Sequence, residues 1–149
     1  MSFLKPVPLT TSPSVTVVVP CYNYGRYLAE VVASIRGQRD LDVEIIIVDD
    51  ASPDGSADGA REIAATSTGV TAVCHTDNMG HIATYNDGLA RATGDYVVLL
   101  SADDLLPPDA LTRAVALLEA QPSVGFVYGF ARSFSGAPPS APDGRVRSW

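Results

Sequence analysis

Apolar, mostly β-branched runs recur along the chain at Val15 to Val19, Val43 to Val48, Val70 to Cys74, Tyr96 to Leu100 and Gly125 to Tyr128. Each is nearly continuous rather than alternating, which is the pattern of a strand covered on both faces and hence of a parallel sheet. Between the runs the period changes to that of a helix. Tyr27, Leu28, Val31, Val32 and Ile35 fall on one helical face that Gly37 ends. Ala60, Ile63 and Ala64 form the inward face of a second helix from about Ser56 to Thr66. A third is predicted from Gly80 to Thr93, and a fourth from Pro108 to Ala120, opened and capped at Pro108 and Asp109 and stopped by Pro122. The order βαβαβαβαβ, joined by right-handed crossovers, predicts a doubly wound α/β fold with a mostly parallel sheet and helices on both faces. Residues 1–13 lack periodicity and are rich in Pro, Ser and Thr, the composition of a loose leader. The folded domain is expected over 14–130, and 131–149, again without an apolar period, reads as a linker.

Composition narrows the function classes. The chain has 149 residues, of which 46% are hydrophobic, enough for one domain with its own core. A net charge of -7 argues against a nucleic-acid partner, because phosphate-backbone binding needs a basic stripe. Cys21 and Cys74 are too few for a disulfide framework and have no zinc-site spacing, which fits a cytoplasmic compartment, with peripheral membrane attachment left open for a longer protein. No apolar run approaches the roughly 20 residues that span a bilayer.

In open parallel sheets, ligands bind beyond the carboxyl ends of the strands. The first strand exits into Pro20-Cys21-Tyr22-Asn23, the second into Asp49-Asp50-Ala51-Ser52, the third into Asp77-Asn78-Met79-Gly80, and the fourth into Ser101-Ala102-Asp103-Asp104. The two acidic pairs bring four carboxylates to one sheet edge, where they repel one another unless they are protonated or share a cation. Hard oxygen donors with no His or Cys among them select Mg²⁺ or Mn²⁺ over zinc. Turn chemistry explains Asp, Ser, Pro and Gly after one strand equally well, but a second acidic pair after another strand favours the metal. No G-x-G-x-x-G follows the first strand and no P-loop occurs, so a phosphate would be held by the metal and by backbone N–H groups at the helix start near Gly80. Cys21 reads as a small buried filler; His81, at a helix start, could contact a phosphate, but a lone His is more often an ordinary surface or core residue.

Taken in order, Val17-Val18-Val19-Pro20-Cys21-Tyr22-Asn23, Ile47-Val48-Asp49-Asp50 through Gly55, Asn78-Met79-Gly80, Asn86-Asp87-Gly88, Ala92-Thr93-Gly94-Asp95-Tyr96 and Ser101-Ala102-Asp103-Asp104 resemble the GT-A glycosyltransferases of family two. These are inverting enzymes that use nucleotide-diphosphate sugars. Each block alone is weak; the ordered series is specific. The resemblance implies a GT-A sandwich in which Tyr22 packs against the nucleobase and Asp50 accepts a hydrogen bond from its imide N–H, as suits the uracil of a UDP-sugar or the thymine of a dTDP-sugar. Asp103 would contact the ribose or the metal, and Asp104 would ligate the metal across the diphosphate. Pro20, Asn23, Asp49, Asn78 and Gly80, at the same strand ends, complete the expected nucleotide-binding set. The sequence departs from the family in one respect: Tyr85 precedes Asn86 where many members carry an arginine that helps neutralise the diphosphate. No catalytic base is assigned; the family supplies it from a segment expected beyond residue 149, and the saccharide, lipid or protein acceptor is open.

Two other classes compete. A phospho-receiver shares the acidic start after an Ile-Ile-Ile-Val strand but needs a lysine late in the fold, and Lys5 is the sole lysine. A non-catalytic nucleotide-binding module, serving regulation or assembly, shares every feature above except transfer.

Overall fold

The computed structural model describes Leu9, residues 12–129 and residues 131–136. The leader falls almost wholly outside these residues, as does most of the expected linker. Four strands alternate with four helices: β1 (Ser14–Cys21), α1 (Leu28–Arg36), β2 (Asp42–Asp49), α2 (Ser56–Thr66), β3 (Val70–Cys74), α3 (His81–Arg91), β4 (Tyr96–Leu99) and α4 (Ala110–Ala120), with a single 3-10 turn at Gly25–Tyr27 leading into α1. The strands form one sheet in the order β3-β2-β1-β4. All three pairings are parallel, with Val17 beside Ile45 and Val98, and Ile47 beside Val19 and Ala72.

This order follows from crossover handedness. The connections through α1 and α2 step outward from β1 in one direction, and the connection through α3 returns across β1 to β4, so right-handed crossovers put α3 on the opposite face from α1 and α2. The side chains agree. Val15, Val17, Val19, Ile45 and Ile47 pack with Val31 and Ile35 of α1, Ala60 of α2, and Leu111 and Val115 of α4. The alternate residues Val18 and Val48 meet α3, at Gly88, where an added Cβ would collide with a Val18 methyl carbon. Each fully buried Val or Ile of β1 and β2 contributes about 1.5–3 kcal/mol of transfer free energy, so these two central strands dominate the core.

Two sequence expectations are corrected. Gly125 to Tyr128 forms no strand; Phe126 and Tyr128 are 75% and 74% exposed, and four apolar residues without a pairing partner have no ladder to join. The cap expected at Asp109 is made differently. Asp109 occupies the N-cap of α4 with φ 58° and no side-chain cap hydrogen bond. Its carboxylate instead accepts two hydrogen bonds from Arg39, each 3.1 Å, which ties the loop before β2 to the loop before α4.

Candidate functional site

The reversal of strand order between β1 and β4 leaves a crevice at their carboxyl ends, the standard ligand position in doubly wound sheets. An open cleft of about 370 Å³ lies there. Pro20, Cys21 and Tyr22 supply one wall, Ala102 and Asp103 another, and Asp50, Asn78 and Gly80 close the side toward α3. Tyr22 is 46% exposed and offers its ring to the cleft. Of the residues expected from sequence, Pro20, Tyr22, Asp50, Asn78, Gly80 and Asp103 thus come together, whereas Asn23, Asp49 and Asp104 are not among the lining residues.

Asp49 is fully buried; its Oδ2 accepts the Ser52 N–H at 3.1 Å and caps the turn after β2, and its Oδ1 has no partner. The backbone of Asn23, at φ 61°, donates its N–H to Ser52 Oγ at 3.0 Å, and its buried side-chain oxygen is also unpartnered. These two residues shape the turn beneath the cleft. Cys21 is 2% exposed and burial pushes its thiol pKa up, which suits the filler role and not a nucleophile.

Asp50 is the best-connected side chain in the site. Its Oδ1 accepts the Met79 N–H and a bond from His75 Nδ1, both at 2.8 Å, and its Oδ2 accepts the Gly80 N–H at 2.9 Å. Burial works against the charged carboxylate, but the His75 bond and the two amides outweigh it and hold its pKa below the ordinary value of 3.8. The His75 pKa is raised above 6.5, chiefly by the bond to Asp50, which burial opposes, and further by Asp87. The Gly80 amide expected to receive a phosphate is therefore already committed to Asp50. Only amides further into α3 remain for that task.

Sequence reasoning passed over His75. It is the first residue beyond β3, so the strand-end criterion that selects Asp50 applies to it equally, and its backbone N–H donates to Asp49 O at 2.9 Å. His81, at the start of α3, lies at the cleft and sits edge-on to the Tyr85 ring, 4.7 Å between centroids. The crowding of four carboxylates is likewise corrected: Asp49 faces inward and Asp50 is neutralised by its neighbours, leaving Asp103 and Asp104. Both are exposed, and among the described residues neither side chain makes a hydrogen bond or ion pair; Asp104 contributes only its N–H, to Ser101 O at 3.0 Å. No group of three or more His, Cys, Asp or Glu side chains among the described residues is arranged to hold a metal ion. Two free hard-oxygen donors fit a divalent ion whose remaining ligands come from water and a bound diphosphate, the usual mode for Mg²⁺.

The sequence profile described as Glycosyl transferase family 2 matches residues 16–146. The mannosyltransferase PcManGT from Pyrobaculum calidifontis, solved in complex with GDP-Man and Mn²⁺, superposes with a TM-score of 0.73 at 37% identity, over 82% of this chain and 36% of that one. An uncharacterized glycosyltransferase of Nostoc sp. is 34% identical over 114 residues, 76% of this chain and 35% of its own length. Glycosyltransferase GlyG of Streptococcus pneumoniae is 33% identical over 126 residues, 82% of this chain and 42% of GlyG. The chain thus spans 35% and 42% of the length of these two relatives. No helix among the described residues is long and apolar enough to cross a membrane. On the profile match and these relatives, the chain belongs to glycosyl transferase family 2 and carries its mostly parallel α/β GT-A fold.

Proposed function

We propose that this chain provides the donor-binding part of a glycosyltransferase that takes a nucleotide-diphosphate sugar with Mg²⁺ or Mn²⁺ and passes the sugar, with inversion, to an acceptor hydroxyl. The observation that carries the reading is the cleft between β1 and β4, which brings Tyr22, Asp50 and Asp103 from three separate strand ends to one place. Tyr22 presents an aromatic face for a base to stack on, and Asp50 holds an ionised carboxylate where a base N–H would donate. Asp103 and Asp104, exposed and unpaired, are the oxygen donors for the metal, with Asp103 also within reach of the ribose. Asn78 and the start of α3 line the diphosphate side, and Asn23 and Asp49 support the cleft from beneath. The metal, when bound, offsets the charge that develops on the departing nucleoside diphosphate.

A general base must come within hydrogen-bond reach of the acceptor hydroxyl. Among the cleft's carboxylates, Asp50 is engaged by His75 and two amides, and Asp103 is assigned to the metal or ribose, so neither takes that role. A cytoplasmic location belongs to the same reading. The base recognised is uracil or thymine; the Pyrobaculum calidifontis relative solved with GDP-Man makes guanine the competing choice.

Isothermal calorimetry with UDP, dTDP and GDP, with and without Mn²⁺, tests this. UDP or dTDP binding that requires Mn²⁺ and drops about a hundredfold or more in Asp104→Ala is the expected result, on the scale of losing one charged ligand. Equal binding without metal, or an unaffected variant, overturns the metal assignment.

A further inference from the structure

Behind the cleft wall, four side chains of alternating charge run from the end of β2 into α3. Asp50 Oδ1 meets His75 Nδ1 at 2.8 Å, His75 Nε2 meets Asp87 Oδ2 at 3.2 Å, and Asp87 Oδ1 meets Arg91 Nη1 at 3.1 Å. The Asp50 and His75 side chains are 5% and 8% exposed. A neutral imidazole has one N–H and would set its bare nitrogen against a carboxylate; only the imidazolium, with two donors, satisfies both partners. The geometry therefore calls for a charged His75, and the upward shift of its pKa agrees.

The bonding of Asp50 has a further consequence. An ionised carboxylate offers about four acceptor positions. Oδ1 uses two, on Met79 N–H and His75, and Oδ2 uses one, on Gly80 N–H. One position remains, on Oδ2. Guanine presents two adjacent donors, N1–H and the N2 amine, which a carboxylate meets best with both oxygens. Uracil and thymine present one imide N–H between two carbonyls.

Resting on the donor-binding role above, we propose that His75 is a positioning and specificity-determining residue: as an imidazolium clamped between Asp50 and Asp87, it occupies the second acceptor position of Asp50 Oδ1, so that the cleft takes nucleotides whose base offers a single N–H donor. No nucleobase touches His75 itself; it acts through Asp50. The groups that face it are Asp50 from β2 and Asp87 from α3, with Arg91 behind Asp87. Deprotonation leaves one of the two carboxylates without its donor, so the wall loosens as pH rises through the His75 titration and is intact below it.

The test is calorimetry of UDP and GDP with Mn²⁺ from about pH 6 to about pH 9, the range a raised histidine crosses, on the intact chain and on His75→Gln and His75→Ala. Imidazole ¹⁵N NMR on the unsubstituted protein accompanies it. Expected are both ring nitrogens of His75 protonated near neutral pH, and a UDP-over-GDP preference that shrinks about tenfold in His75→Ala, the worth of one hydrogen bond to a charged group. UDP affinity should decline with rising pH in the unsubstituted protein and stay flat in His75→Gln, whose amide donates without titrating. A pH dependence that persists in His75→Gln does not arise from His75 and overturns the proposal. A neutral His75 in the NMR spectra, or GDP bound as tightly as UDP by the unsubstituted protein, overturns it as well. Those results leave the donor-binding role standing, whereas no nucleotide binding at any pH defeats both. Should either variant fail to fold, the NMR spectra and the base preference of the unsubstituted protein still decide.

Discussion

Asp49, the last residue of β2, and Asp50, the first beyond it, have 0% and 4% of their surfaces exposed, whereas Asp103 and Asp104 lie beyond β4 in the open. In sequence the two pairs are interchangeable: two aspartates after an apolar run, each leading into turn residues. In the fold, the first pair gives its acceptor capacity to the protein. Asp49 caps the turn at Ser52, and Asp50 gathers His75 and the amides of Met79 and Gly80. The second pair gives almost none. The difference arises from position in the sheet. β2 is a central strand flanked by β1 and β3, so its carboxyl-end residues lie under neighbouring loops, while β4 is at the edge of the described sheet and its continuation emerges into solvent. A carboxylate in the interior must be partnered to remain ionised, and one at the rim keeps its oxygens for a ligand. The effect of substitution on stability should therefore fall from the buried pair to the rim pair.

The largest concerns Asp50→Ala. The change leaves the His75 imidazolium facing one carboxylate instead of two and removes the acceptor of two amides. Deleting one partner of a buried ion pair costs about 3–5 kcal/mol. Urea denaturation monitored by circular dichroism should show that loss; a cost under about 1 kcal/mol, the range of an exposed pair, would erase the distinction between the two acidic pairs.

The pH profile of stability comes next. The Asp50 pKa lies below its ordinary 3.8, so its contribution is present above that value and is lost as pH falls through the folded pKa. The His75 pKa lies above its ordinary 6.5, so its contribution is complete below 6.5 and is lost as pH rises through the folded value. The coupled pair therefore gives a stability maximum between the two, falling on both sides. Urea midpoints across pH should trace that shape, and Asp50→Ala should flatten both flanks. A midpoint that keeps climbing from pH 6.5 into the alkaline range would show that His75 is not held as a cation.

The same contrast explains which features the sequence carried. The central strands were legible because β1 and β2 are buried on both faces and their runs are unbroken; the cleft was legible because strand ends in a parallel sheet converge at the switch point. The direction each side chain takes after the strand was not legible. Asp49 and Asp50 are adjacent, yet only Asp50 lines the cleft. Residues 92–95, one of the blocks that carried the family resemblance, lie at the opposite edge of the sheet: the N–H groups of Thr93 and Gly94 donate to Thr16 Oγ1, Thr16 Oγ1–H donates to Glu44 at 2.6 Å, and Ser14 Oγ–H donates to Asp95 at 2.6 Å. That block closes the amino end of the fold and does not touch a donor site. Gly88, read only as part of a motif, is required by the close approach of α3 to Val18 and Val48, a constraint that involves three distant segments. The Asp50–His75–Asp87 clamp has the same character, joining residues from the ends of two strands and the middle of a helix with no sequence period to connect them.

The smallest stability effect belongs to Asp103→Ala and Asp104→Ala, and it is the most discriminating of the three. Neither carboxylate is buried or paired among the described residues, so each substitution should change stability by no more than about 0.5 kcal/mol, the ordinary range for surface positions without a structural role. The thermal response to ligand should change sharply. Binding to the folded state alone raises apparent stability by RT ln(1 + [L]/Kd), about 2.7 kcal/mol at a hundredfold excess over Kd, so Mn²⁺ with UDP should lift the melting temperature of the unsubstituted protein by several degrees and that of Asp104→Ala hardly at all. Mn²⁺ without nucleotide should do little in either, because two aspartates supply only part of an octahedral shell and the diphosphate must complete it. A strong shift from Mn²⁺ alone would mean that the protein closes the metal site by itself, and the rim aspartates would then resemble the buried pair more closely than their exposure indicates.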